Sequence, residues 1–243
     1  MGARHTGRRS GVVAGAGSAD WKSLRKHVQI RRRRSHRGGF APEQVPDELF
    51  AVLRYAAEEE EAGLVRFGGG ADEIALAALS NAAEQVQRRM PAYADEPARW
   101  APASGTSRRD GVQPAAHPRR TPRTAPHFPA RDFAGGRGRD AEPVGDGTAV
   151  AGVAVLLTTR DDTPAAWLRA GQGLHSLLLR AAEDGLAAAY RTQSLQVPEL
   201  RAVLRLRFCA GAHPQMLLRL GVPEGAEPTS VRRPVEEVLT EGP

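Results

Sequence analysis

The first residues whose types and spacing could do chemistry are Arg33-Arg34-Ser35-His36-Arg37, followed by Gly38-Gly39-Phe40. Guanidinium groups bind phosphate oxygens through paired, parallel hydrogen bonds, and a serine hydroxyl adds a further donor. A short cluster of this kind suits a phosphate ester. Basic runs are more often solvated surface, or patches for nucleic acid or localisation, and spacing alone leaves these readings open. A second pair, Arg232-Arg233 ahead of Pro234, poses the same choice between a solvated tail and charges folded back onto the same anion.

Other chemistries find no support in the sequence. His175 lies inside an amphipathic pattern, His213 precedes Pro214, and His117 and His127 fall in an irregular stretch. None has metal-ligand spacing, so no metal is expected. There is no nucleophile elbow, P-loop or dinucleotide glycine fingerprint. The single cysteine, Cys209, excludes a disulfide framework, and its neighbours Leu206 and Phe208 suit a small buried hydrophobe. Gly171-Gln172-Gly173 sits within a helical pattern, where close helix packing is its simplest reason.

The elements that must position these residues follow from periodicity. Residues 1 to 26 carry no usable pattern and are expected to be disordered. Pro46 opens a helix with Asp47 and Glu48 in its first turn and a Leu49, Val52, Leu53, Ala56 stripe. Leu64–Phe67 reads as a short strand and Ala71–Arg89 as a second helix, stopped by Pro91. From 91 to 147 Pro, Gly and Arg dominate, and the segment reads as an irregular insertion that Trp100, Phe128 and Phe133 could pin. Val150–Thr159 is a continuous apolar run, as expected of a strand buried on both faces. Thr163-Pro164 is a cap and first-turn pair; the helix behind it is expected to bury Trp167, Leu168, Gly171, Leu174, Leu178 and Ala181. Leu186–Gln193 is extended or loop, Pro198 starts a helix through about Phe208, and Met216–Val222 is a second central strand. Without a regular βαβ repeat, the pattern favours an α+β layered fold.

Composition bounds the partners. Hydrophobic residues are 41% and charged residues 26% of the 243, ordinary for a globular chain. No apolar run approaches the roughly 20 residues that span a bilayer. Met1–Asp20 has no apolar core of the secretory type, so the expectation is a cytoplasmic protein with no membrane partner. The formal charge is +6. Lys22 and Lys26 are the only lysines, and the Arg, Ala, Gly and Pro bias resembles GC-rich coding more than a phosphate-binding surface.

In order along the chain, these segments resemble the nitroreductase-like flavoproteins. Arg33-Arg34-Ser35-His36-Arg37-Gly38-Gly39-Phe40 is similar to that family's Arg-Arg-Ser/Thr-x-Arg-x-x-Phe signature. The Acg-type actinobacterial branch is similar in more places: Val45-Pro46-Asp47-Glu48, Arg108-Arg109-Asp110-Gly111-Val112, Phe128-Pro129-Ala130-Arg131-Asp132-Phe133, Trp167-Leu168-Arg169-Ala170-Gly171-Gln172, Val197-Pro198-Glu199-Leu200-Arg201 and Arg232-Arg233-Pro234-Val235-Glu236. The resemblance runs from about His27 to Leu239 and makes 27–243 one half-domain, with 91–147 an insertion within it.

The resemblance implies a nitroreductase-like layered fold, with a central mixed sheet flanked by helices and FMN bound between two similar halves. It implies that Arg33, Arg34, Ser35 and Arg37 hold the FMN phosphate and ribityl chain, that Arg232 and Arg233 close on the phosphate, and that Gln193 lies toward the flavin ring. The branch's preceding half-domain, with its Ser-x-x-Asn-x-Gln-Pro-Trp-like segment, has no counterpart here. The fold is therefore expected to be a carboxy-terminal half, incomplete at its amino-terminal side, whose flavin site needs a second copy or a partner half-domain.

Three functions follow as alternatives. One is an NAD(P)H-dependent flavin oxidoreductase of nitroreductase type, in which FMN carries the redox chemistry, with NADPH or NADH as donor and a dimer completing the site. Another is a non-catalytic flavin-binding or sequestering protein, or a truncated inactive member. The last is a basic nucleic-acid-binding protein driven by Arg31–Arg37, ranked lowest because no recognition helix or stacking aromatics accompany the charge.

Overall fold

A computed structural model of the chain describes residues 21–103, 105–116, 128, 152–225, 231 and 233–239. The helices are α1 (Trp21–Arg32), α2 (Asp47–Glu58), α3 (Gly70–Arg88), α4 (Pro91–Arg99), α5 (Pro164–Glu183) and α6 (Pro198–Phe208). The strands are β1 (Gly63–Phe67), β2 (Val153–Thr159), β3 (Ala187–Tyr190) and β4 (His213–Gly221), joined in one sheet of order β1-β2-β4-β3. All three strand pairings are antiparallel. The four strands thus form an antiparallel sheet where a mixed one was expected; outside them Ser35 makes an isolated parallel bridge to Ala188 at the β3 edge.

Helices cover both faces, because strand side chains alternate in direction. On one face Val155, Leu157, Leu218 and Leu220 pack with Leu53 and Ala57 of α2 and with Leu177, Leu178 and Ala181 of α5. On the other, Ala154, Leu156 and Leu217 pack with Leu76 and Ala77 of α3 and with Leu204 and Phe208 of α6. The result is the α+β layered fold that the pattern implied. It also explains why β2 is apolar without alternation: Ala154 through Leu157 are fully buried from both sides.

Helix starts match the chemistry of their first residues. Thr163 caps α5, its Oγ1 accepting a hydrogen bond from the Ala166 amide at 3.3 Å, and Pro164 follows. The α5 stripe is rotated from expectation. Trp167 and Leu168 are 53% and 68% exposed, while Ala166, Ala170, Gly173 and Leu177 face inward with Leu178 and Ala181. Small residues win that face because α2 and the turn after it lie close: a Cβ on Gly173 would stand 3.3 Å from the Ala57 carbonyl oxygen of α2 and 2.9 Å from the Ala62 Cβ. Trp167 is instead held at the surface by its indole N–H, which donates to Asp162 at 2.6 Å.

Two further differences concern order. Helix α1 begins at Trp21, inside the segment 1–26 expected to be disordered. It is fixed along α5 by the ion pair Arg25–Glu183 and by Lys26 Nζ donating to Ser176 Oγ at 3.3 Å. Residues 1–20 lie outside the described residues. Helix α4 stands within the expected irregular insertion 91–147, because the proline that ends α3 also occupies the first turn of a helix, where its missing N–H costs nothing. Of the expected pins, Phe128 is buried, Trp100 is exposed with its carbonyl accepting from the Val112 amide at 2.7 Å, and Phe133 lies outside the described residues. Among the described residues, no helix is long and apolar enough to cross a membrane.

Candidate functional site

The arginine cluster sits where α1 unwinds into an extended segment along the free edge of β3. The His36 amide donates to the Ala188 carbonyl at 2.8 Å, and Phe40 bridges Pro223. This pairing fixes the register of Arg33 through Arg37 against the sheet. The anchor is Phe40, which is buried against two glycines. A Cβ on Gly221 would meet the Phe40 ring at 2.8 Å, and one on Gly152 would meet it at 3.1 Å. Gly152 also has φ +66°, which favours glycine independently. Phe40 thus locks the edge segment, and Arg33, Arg34 and Arg37 beside it are each half-buried.

Between them, His36 is buried. Desolvation lowers its pKa more than the Gly39 hydrogen bond raises it, and Arg191 adds to the lowering. Its Nε2 lies 2.6 Å from the Gly39 carbonyl oxygen, and its ring stacks at a tilt on Phe40 with centroids 4.6 Å apart. His36 therefore serves the turn. Arg37 is partly buried, and desolvation lowers its pKa, partly offset by Tyr190.

Arg33 and Arg34 line a cavity of about 170 Å³ together with Arg32, Leu178, Ala182 and Pro223. Ligand sites for drug-sized molecules run from roughly 300 to 1,000 Å³. The cavity matches a phosphate and the first atoms of its chain, not a three-ring flavin. Its chemistry, guanidinium groups above an apolar floor, fits the phosphate end of FMN.

Two further expected site residues, Gln193 and Arg233, do not join this cluster. Gln193 is 2% exposed on the opposite face of the sheet, beneath α3, where its carbonyl accepts from Gln87 Nε2 at 3.4 Å. Arg233 is exposed near Asp110, whose carboxyl is held low chiefly by its hydrogen bond to Arg108, with Arg233 contributing least. The tail is tied there by Arg109 Nη1 donating to Glu237 at 3.0 Å. Arg232 lies outside the described residues. Of the expected site residues among those described, Arg33 and Arg34 line the cavity, and Ser35 and Arg37 follow them in the edge segment without lining it.

That opposite face carries charges that the sequence reading passed over. Arg219, in the middle of β4, is 2% exposed. Its Nη2 donates to the Gly152 carbonyl at 2.6 Å and to Glu73 Oε1 at 3.5 Å, and its guanidinium carbon lies 4.5 Å from the Phe128 ring centroid. Arg191, just past β3, presents to the same face, since Ala189 pairs with Arg219 and the Arg191 amide donates to the Leu217 carbonyl. Burial pushes both arginines down to about 10, and it raises the Glu73 carboxyl more than Arg219 lowers it. The available signal was Arg219 itself, a lone charge inside the apolar run Met216–Val222.

No family model matches the chain. A Mycobacterium tuberculosis protein named "Putative NAD(P)H nitroreductase" is 37% identical over 119 residues, which is 46% of this chain and 33% of that protein. The match thus spans about a third of the curated relative's length. Among solved structures, a nitroreductase with bound FMN from Desulfitobacterium hafniense superposes with a TM-score of 0.54 at 13% identity, over 90% of this chain and 98% of that one. A BluB-like flavoprotein from Clostridium difficile gives 0.53 at 17% identity, over 89% and 98%. The chain is therefore similar to that relative in sequence over 46% of its length, and it has the nitroreductase-like fold of these two structures.

Proposed function

We propose that the chain is an FMN-binding flavoprotein of nitroreductase type that takes electrons from NAD(P)H. The observation that carries this reading is the arginine-lined cavity at the β3 edge, in a fold shared with a nitroreductase that has bound FMN. Arg33 and Arg34 would hold the phosphate, with Ser35 and Arg37 beside it. Flavin supplies the hydride chemistry when bound. The chain's own residues bind, orient and exclude water, and no side chain need act as acid or base.

In this reading the flavin ring outgrows the cavity and needs a second surface, which a second copy or a partner half-domain supplies. Arg232 and Arg233 reach the phosphate from that second chain. Gln193, buried beneath α3, serves the other face of the sheet instead.

Titrating the full chain with FMN and with riboflavin tests the assignment. FMN is expected to bind more tightly, and Arg34→Gln to weaken FMN by about tenfold or more while leaving riboflavin unchanged, as fits loss of a charge-assisted hydrogen bond. Equal affinity for FMN and riboflavin would contradict it. Bound flavin bleached by NAD(P)H without oxygen supports the oxidoreductase; bound flavin that stays oxidised indicates a flavin-sequestering protein.

A further inference from the structure

Helix α5 carries a groove of about 480 Å³ on its outer side, bordered by Lys26 of α1 and by Glu60 just after α2. Trp167 and Leu168, both exposed, line it toward the start of α5, and Ser176 and Leu179 line it further along. Gly171 lies between them. A glycine inside a helix is disfavoured relative to alanine. Gly173 has its reason within the chain, in the contact a Cβ would make with Ala62, whereas a Cβ on Gly171 would meet nothing within 4 Å. The missing side chain at 171 serves no contact among the described residues, and it leaves the middle of the groove flat enough for another backbone to approach.

The charges along the groove are placed to match a copy of the same surface. Lys26 stands at Ser176, donating to its hydroxyl at 3.3 Å. Glu60 stands toward the other end, next to Glu61, which accepts from Arg169 at 2.8 Å. Lys26 and Glu60 line one groove without pairing with each other, and neither has an oppositely charged partner among the described residues. Positions 169 and 176 are about 10 Å apart along a helix, with Gln172 near the midpoint. A two-fold axis through Gln172, perpendicular to α5, lays one α5 antiparallel on another. It brings each Lys26 toward the partner subunit's Glu60, as an isologous interface requires.

We propose that this face of α5 docks a second copy of the chain, and that the docked copy completes the flavin site; the flavin part rests on the arginine-edge reading above. The groove and the arginine cavity share the same two helices. Lys26 and Leu179 border the one, Arg32 and Leu178 the other. The same two-fold carries the partner subunit's Trp167 to the level of Leu178, at the rim of the cavity. An exposed indole there offers a flat apolar surface to a flavin ring.

The test is sedimentation equilibrium of the full chain, with FMN titration of the same samples. The wild type is expected to be a dimer. Leu168 is 68% exposed, so Leu168→Glu keeps the fold, and it is expected to weaken self-association by about a hundredfold or more. Lys26→Glu and Glu60→Lys each set like charges across the axis and are expected to weaken it by about tenfold. An equimolar mixture of these two variants is expected to associate as strongly as the wild type, because its interface is again fully paired. Arg34→Gln is expected to lose FMN and stay dimeric, and Leu168→Glu to lose at least about tenfold in FMN affinity along with the dimer. A wild type that is monomeric at every concentration overturns the docking surface. So does Leu168→Glu protein as dimeric as the wild type, or a mixture of the charge variants that fails to associate. A dimer that meets these tests but takes no FMN overturns the flavin reading and leaves the docking surface standing. FMN held at full affinity by monomeric Leu168→Glu overturns the second copy's part in the flavin site.

Discussion

The two faces of the sheet are built from the same strands and do opposite things. Toward α2 and α5 the buried side chains are Leu, Val, Ala and Phe, drawn close by Gly173 and Ala57. Toward α3 the buried set includes Glu73, Ser80, Glu84 and Gln87 along one side of the helix, set against Arg219, Gln193 and Ser194. Burying polar groups without full partnership costs free energy that an apolar replacement would avoid. Both faces carry an apolar core, and the α3 face gives up part of its stability to hold buried charge as well. The arginine edge at Arg33–Arg37 lies on the rim that joins them.

The largest effect is expected on the apolar face. Leu157→Ala, at a fully buried position, should cost about 2–5 kcal/mol in denaturant unfolding, from lost burial plus the cavity left behind. On the same face Gly173→Ala pushes a methyl to 2.9 Å from Ala62, and overpacking of this kind costs roughly 1–3 kcal/mol. A cost of that size on the α3 face and none here would reverse the comparison.

An intermediate effect is expected at Asp162, which ties the ends of both layers. It accepts from Arg201 at 2.8 and 3.0 Å, from Trp167 at 2.6 Å and from Gln215 at 3.2 Å. These bonds, Arg201's first, hold its carboxyl well below the usual range. A group whose folded pKa is depressed contributes stability above its unfolded pKa and loses it as pH falls through the folded value. Asp162→Asn should therefore destabilise by about 1–2 kcal/mol at neutral pH, with the difference from wild type shrinking as acid is added. A pH-independent difference would show that hydrogen bonding without charge accounts for the site.

The smallest effect has the opposite sign. Glu73 has a raised pKa, so its ionisation costs stability as pH rises above the ordinary carboxylate range. Glu73→Gln should be within about 1 kcal/mol of wild type in unfolding, and its relative stability should improve from acid to neutral pH. A Glu73→Gln variant that grows less stable as pH rises would mean that the pair with Arg219 stabilises the ionised form, and that the α3 face is balanced after all.

Much of the fold was legible in the sequence, because its element starts are local. Thr163-Pro164, Pro198 and Pro46 open helices through chemistry confined to one turn, and the apolar run Val150–Thr159 suits a strand buried on both faces, which the fold places at Val153–Thr159. What periodicity could not settle was which side of α5 faces in. Trp167 and Leu168 outrank Ala166 and Ala170 in hydrophobicity, yet the approach of α2 admits only small residues. Helix α4 was hidden because Pro91 both ends one helix and begins another. The arginine edge was readable as a motif, and the role of Phe40 was not, since the glycines it rests on come from Gly152 and Gly221, far along the chain. Gln193 and Arg233 were adjacent to the cluster only by resemblance; the chain's path sends them to different surfaces.

The most direct measurement is the visible absorption spectrum of the purified full chain after incubation with FMN and desalting. A retained flavin spectrum, lost in Arg33→Gln and Arg34→Gln but kept in Gly173→Ala, is the expected result and would place the cofactor at the arginine edge. Folded wild-type protein that retains no flavin, or retention indifferent to both arginines, would contradict the account.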